Sequence, residues 1–293
     1  MKKIQIVSPA KSIEPEKIDF ASSWLSDAGH DVSIGKNAKG TFHYFSGTDE
    51  ERLLDFQSAL DEERTSAILC ARGGYGSVRI IDRLNWSQFV RYPKVICGYS
   101  DVTVFHNRMN RMGYPSIHCT APLNFKENSE EALSSLNIAL LGGTNSYDFR
   151  GHDLNRIGEA EAKVVGGNLA ILSTLCGTDD ELDTDDRILF IEDIGEAIYA
   201  VDRMMWQLKK SGALKGLKAL MVGGMTGMKD SAVPFGRSVE EVIADAAAEY
   251  DYPICFNFPA GHIEDNRAII FGKKAHVEVS GNGAIFTQVS KGF

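Results

Sequence analysis

At 293 residues, 43% hydrophobic and 24% charged, the chain has an ordinary globular composition and enough length for one large or two medium domains. A formal charge of −9 excludes nucleic acid or an anionic membrane as the main partner, because either requires a basic footprint. The five cysteines form no C-x-x-C pair and lie mostly in apolar runs such as "AILC" and "KVIC", which reads as buried free thiols rather than disulfides or a metal site.

The opening "MKKIQIVSPAKS" holds about four apolar residues before Ser8 and Pro9, too few for a secretory signal, and a cytoplasmic protein is expected. "IQIV" (4–7) reads as a strand, 14–29 as a helix and "DVSI" (31–34) as a strand. A helix over 48–63, a strand over 66–70, a helix over 77–84 and the strand "KVIC" (94–97) follow. The pattern continues with a helix over 102–112, a short strand over 116–118 and a helix over 129–141. Continuous apolar strands alternating with helices predict a parallel sheet covered on both faces, with ligands beyond the carboxyl ends of its strands. The turn-rich stretch 144–158 reads as a linker, placing domains at 1–150 and 151–293. Beyond it come a strand over 160–167, a helix over 168–176, a strand over 187–193 and a helix over 197–211. A strand over 218–224, a helix over 237–249 and a strand over 253–257 precede three short strands, over 268–271, 275–279 and 284–289.

Four glycine-bearing turns fall just after predicted strands: "ARGGYG" (71–76), "CGYSD" (97–101), "VGGN" (165–168) and "PAGH" (259–262). The first lacks the Lys-Ser/Thr ending of a P-loop and is not G-x-G-x-x-G, so no nucleotide cofactor is expected, and the cysteine pattern gives no metal either. Its backbone N–H groups suit a developing oxyanion better. Ser100, in "ICGYSDVT", is either the cap of the next helix or a nucleophile on a tight turn. A serine nucleophile needs a base, and seven histidines are available. His30 and His43 read as exposed, and His106 as lying inside the helix after Ser100 and pointing away from its N-terminus. His262 follows Pro259-Ala260-Gly261 just beyond a strand. Glu192 ends the apolar strand "ILFIE", where Asp193 or Glu196 suits a helix start. Serine, carboxylate and histidine thus each sit at the carboxyl end of a strand, in a pattern that would build a site between two domains. Arg72 beside the glycine turn could bind a substrate carboxylate or form a salt bridge. Arg203 reads as paired with acidic neighbours, and Trp206 as part of an apolar helix face.

Together "ARGGYG", "CGYSDVT", "VVGGNLAIL", "LFIEDIGEAIYAVDR" and "FPAGHIEDNRAIIFG" resemble the LD-carboxypeptidase family of serine peptidases, in order and over nearly the whole chain. The resemblance implies an α/β protein with a flavodoxin-like, parallel-sheet N-terminal domain and a smaller β-rich C-terminal domain, usually a homodimer. It implies a triad of Ser100 as nucleophile, Glu192 as the orienting acid and His262 as general base. It further implies an oxyanion hole from the backbone N–H of Asp101 and of a glycine in the R-G-G-Y-G turn, Gly74 being favoured over Gly73. The implied reaction removes the terminal D-alanine of the murein tetrapeptide L-Ala-D-Glu-diamino acid-D-Ala in cytoplasmic cell-wall recycling. Three alternatives stand beside it: a microcin C immunity-type peptidase cleaving a peptide-nucleotide carboxamide bond, a non-catalytic muropeptide sensor, and glutamine hydrolysis. The last normally uses a cysteine where this turn has Ser100.

Overall fold

The computed structural model describes residues 1–291, and its first half alternates as the apolar runs predict. The elements are β1 (Lys3–Val7), α1 (Pro15–Asp27), β2 (Asp31–Ile34), α2 (Asp49–Asp61), β3 (Ala67–Cys70), α3 (Ser87–Arg91), β4 (Val95–Gly98), α4 (Thr103–Arg111), β5 (Ser116–His118) and α5 (Glu130–Leu141). Both β3 and β4 are buried at every residue, as befits strands covered on two faces. On one face Ile6, Leu69 and Ile117 pack with Ile18 and Leu25 of α1 and Leu136 of α5. On the other, Ile68 and Ile96 meet Phe56 of α2 and Phe105 of α4, whose rings stack at 4.3 Å.

The second half contains β6 (Thr144–Arg150), β7 (Gly158–Asn168), α6 (Leu169–Leu175), β8 (Arg187–Ile194), α7 (Ile198–Ser211), β9 (Ala219–Thr226), α8 (Val239–Ala246), β10 (Ile254–Cys255), β11 (Ile269–Phe271), β12 (Lys274–Val279) and β13 (Gly283–Val289). Seven of these strands form a sheet in the order β10-β9-β8-β7-β12-β13-β6, parallel from β10 to β7 and antiparallel beyond. The other sheet has the order β11-β5-β4-β3-β1-β2 and is parallel except at β11. A strand from the second half therefore completes the first sheet, pairing Ile269 with His118.

Two expectations are corrected. The segment 144–158 is not wholly a linker: Thr144–Arg150 is β6, pairing Tyr147 with Phe286. Its outward residues Thr144, Ser146 and Asp148 are exposed while Asn145 and Tyr147 point in, so a half-solvated edge strand has a turn-like composition. The helix expected over 77–84 is two 3-10 turns, Ser77–Arg79 and Ile81–Arg83, with i to i+3 bonds throughout. All five cysteines are free; Cys176 is half-buried and the others are buried. Among the described residues, no helix is long and apolar enough to cross a membrane.

Candidate active site

The chain leaves β4 through Gly98, at φ +148°, and reaches Ser100 at φ +65°. Positive φ in a serine is strained, and the strain lifts the side chain off the end of the sheet before α4 begins. The other glycine turn packs directly against it. A Cβ on Gly73 would lie 2.9 Å from Ser100 Cβ and 3.1 Å from its Oγ, so only glycine permits this approach.

Asp101 fixes the two turns to each other. Its buried carboxylate accepts the Ser77 N–H at 2.8 Å, and burial raises its pKa. Arg52 of α2, 1% exposed, donates to the carbonyls of Pro9 and Gly76 and pairs with Asp49. This buried cation ties the β1–α1 loop to the glycine turn. In the sequence Arg52 looks like one more charge on a polar helix.

Glu192 is 0% exposed and sits where the β8–β9 register shifts: Ile191 pairs with Val222, but Asp193 pairs with Met225. Gly223 and Gly224 thus lie opposite Glu192 alone, a bulge that re-aims a side chain. Gly224 donates to the Ala260 carbonyl at 2.9 Å, drawing the 260–262 segment over the strand end. A Cβ on Gly261, at φ +110°, would come 2.8–3.0 Å from three Glu192 atoms. His262 then places Nδ1 2.7 Å from Glu192 Oε2. A carboxylate only accepts, so Nδ1 carries the proton and Nε2 presents a lone pair. Burial lowers the His262 pKa, but the Glu192 hydrogen bond and charge, helped by Asp193, outweigh it and leave a net rise.

The structure brings the three expected residues to one place, with the His262 ring 4.8 Å from that of Tyr99, the residue before Ser100. Ser100 Oγ and His262 are not hydrogen-bonded here; such contacts often close only with substrate bound. The two halves interlock beside them: Asn168 at the end of β7 donates its N–H to Thr103 Oγ1 at 2.9 Å, and its side chain holds Asp193 at 2.9 Å. Gly167 faces Thr103 so closely that a Cβ would lie 2.4 Å from Oγ1. Arg72 donates to the Ser12 carbonyl at 2.9 Å and makes no salt bridge among the described residues.

Several other readings change. His106 does not point away from the turn: its ring reaches the Gly98 carbonyl at 2.9 Å and Ser116 Oγ at 2.8 Å, wholly buried. His30 is buried against Asn137, whereas His43 is exposed. Arg203 lies over the Tyr199 ring rather than on an acid, and Trp206 is exposed with Lys209 over it.

Residues 4–119 match the LD-carboxypeptidase N-terminal domain and residues 161–277 the LD-carboxypeptidase C-terminal domain. A murein tetrapeptide carboxypeptidase of Pseudomonas aeruginosa is 30% identical over 287 residues, spanning 94% of this chain and 93% of that one. The muramoyltetrapeptide carboxypeptidase from Oxalobacter formigenes superposes with a TM-score of 0.89 at 26% identity, over 98% of both chains. The microcin C7 self immunity protein MccF, solved with aspartyl sulfamoyl adenosine, shares the fold, with a TM-score of 0.82 at 20% identity over 99% of this chain and 96% of that one. Two α/β halves with matching sequence over both define a peptidase of the serine type. The chain belongs to the LD-carboxypeptidase family.

Proposed function

We propose that this protein is a serine carboxypeptidase that hydrolyses the L,D peptide bond holding the terminal D-alanine of murein tetrapeptides, through a Ser100–His262–Glu192 acyl-enzyme mechanism. The observation that carries the proposal is the 2.7 Å bond from His262 to a fully buried Glu192, beside a serine held at φ +65°. Ser100 Oγ attacks the carbonyl of the L-centre while His262 Nε2 takes its proton. Glu192 holds the tautomer and stabilises the imidazolium. His262 passes the proton to the departing D-alanine amine, and water then cleaves the Ser100 ester by the same route.

The oxyanion is assigned to the N–H groups of Asp101 and Gly74. Gly73 turns its carbonyl to the Lys11 N–H at 3.3 Å, and in a trans peptide the Gly74 N–H points the opposite way. Each donor is worth roughly 10²–10³ in rate. Arg72, with guanidinium donors beyond the one on Ser12, is assigned to the carboxylate of the leaving residue. The likeness to murein peptidases supports this substrate. The proposal includes a cytoplasmic place of action and a homodimer.

A second reading has one observation in its favour. Phe42, Tyr44 and Tyr75 expose large ring faces, and Tyr44 lies against the Gly74 turn, as an immunity-type peptidase would need to stack a nucleobase. Product analysis on murein tetrapeptide and on aspartyl sulfamoyl adenosine separates the two. Release of D-alanine with the nucleoside compound intact supports the carboxypeptidase; cleavage of the nucleoside compound alone overturns it; cleavage of neither favours a sensor.

A further inference from the structure

We propose that Lys11 is a specificity-determining residue of this site, its ammonium receiving a carboxylate of the peptide beside the scissile bond. The proposal rests on the carboxypeptidase assignment above. The Lys11 N–H is bonded to the Gly73 carbonyl at 3.3 Å, and Gly73 packs so closely on Ser100 that a Cβ there would lie 2.9 Å from the Ser100 Cβ. Its aliphatic stem lies over the next residue: a Cβ on Gly74 would be 2.8 Å from Lys11 Cβ and 3.3 Å from Cδ. The ammonium rests on the half-exposed Tyr44 ring, 4.8 Å from its centroid, and has neither carboxylate nor hydrogen-bond partner among the described residues. Arg72 differs in giving one donor to the Ser12 carbonyl.

A half-buried cation held by its stem at the oxyanion turn, with all three donors unused, is a ready partner for an anion. A carboxylate binds an ammonium more strongly than a tyrosine face does, so the cation–π contact serves as its resting position. The tetrapeptide has carboxylates on both sides of the bond cut: the terminus of the leaving D-alanine, and the D-Glu carboxyl not used in the chain. Both have the chemistry Lys11 would read.

The test compares wild type, Lys11→Met and Lys11→Arg on the tetrapeptide, its terminal carboxamide and its D-Glu carboxamide. Methionine keeps the apolar stem over Gly74, so folding is preserved. Lys11→Met should lose about ten- to hundredfold in kcat/KM on the parent, mostly in KM, and Lys11→Arg should recover most of it. One amidation should cost wild type a similar factor and cost Lys11→Met almost nothing. Coupling to the terminal amide assigns the leaving-group carboxylate, and coupling to the D-Glu amide the acyl side. Activity of Lys11→Met within about twofold of wild type, or amidation costs equal in both proteins, would overturn the subsite while leaving the carboxypeptidase intact. If wild type cleaves nothing, the carboxypeptidase assignment fails by itself. Calorimetric binding of the same three peptides to Ser100→Ala, with and without Lys11→Met, then decides Lys11, and equal affinities overturn it.

Discussion

The bond between His262 and Glu192 sets the tautomer of His262 and, in the proposed mechanism, the working pH of the base. Burial alone would pull the imidazole pKa down, and the buried carboxylate more than reverses this, so the folded value lies above the usual 6.5. The imidazole must be neutral to accept the Ser100 proton, so kcat/KM should fall as pH drops through that raised value. Glu192→Gln removes the Glu192 charge, leaves only the smaller pull of Asp193, and keeps the burial. The acidic limb of the kcat/KM profile should therefore move to lower pH, and the plateau should fall by on the order of 10²–10⁴. A limb that stays in place would mean that another group titrates there.

The elements around the site hold their positions through buried polar groups as well as apolar packing. His106 of α4 is the plainest instance. A carbonyl only accepts, so Nε2 donates to Gly98, and Nδ1 accepts the Ser116 hydroxyl. Burial pushes its pKa down to about 4, against the bond to Gly98, so it stays a neutral strut through the working range. His106→Phe leaves the Ser116 hydroxyl unpaired and one of the two bonds to the Gly98 carbonyl lost. Stability should fall by about 1–3 kcal/mol in urea melts, with kcat lowered more than KM is changed; His106→Gln should recover part of both. An unchanged kcat in His106→Phe would show that the turn needs no such support.

The elements themselves were legible where apolar runs were continuous: β3, β4, β8 and β9 each read correctly to within two residues at either end. β6 was missed because one of its faces is solvated, and the 77–84 helix because a helical spacing of apolar residues over eight positions does not separate two 3-10 turns from one short α-helix. Ser100, Glu192 and His262, the proposed triad, were legible as strand-end residues. The parts that position them were not, since Arg52, the Gly223–Gly224 bulge and His106 act through contacts that periodicity does not encode.

At the scale of the molecule, the site is divided between two sheets that cannot be separated cleanly. Ser100 follows β4 of one, Glu192 lies on β8 of the other, and β11, just after His262, returns to pair with β5. Phe271 of β11 packs with Phe190 and Phe286 of the second sheet as well, so the strand belongs to both cores. The domain boundary read at 150 also falls after β6, which is already part of the second sheet. Scanning calorimetry should accordingly give one cooperative transition for the full chain, with matching calorimetric and van't Hoff enthalpies. Two resolved transitions would mean that the halves unfold independently despite the shared strand.

The central claim is that Ser100 is the nucleophile, and D-alanine release from purified murein tetrapeptide by wild type and Ser100→Ala, side by side, tests it most directly. Release by wild type, reduced in the variant to the small residue that oxyanion donors and binding alone can give, is the predicted result. Release by Ser100→Ala at the wild-type rate would contradict it.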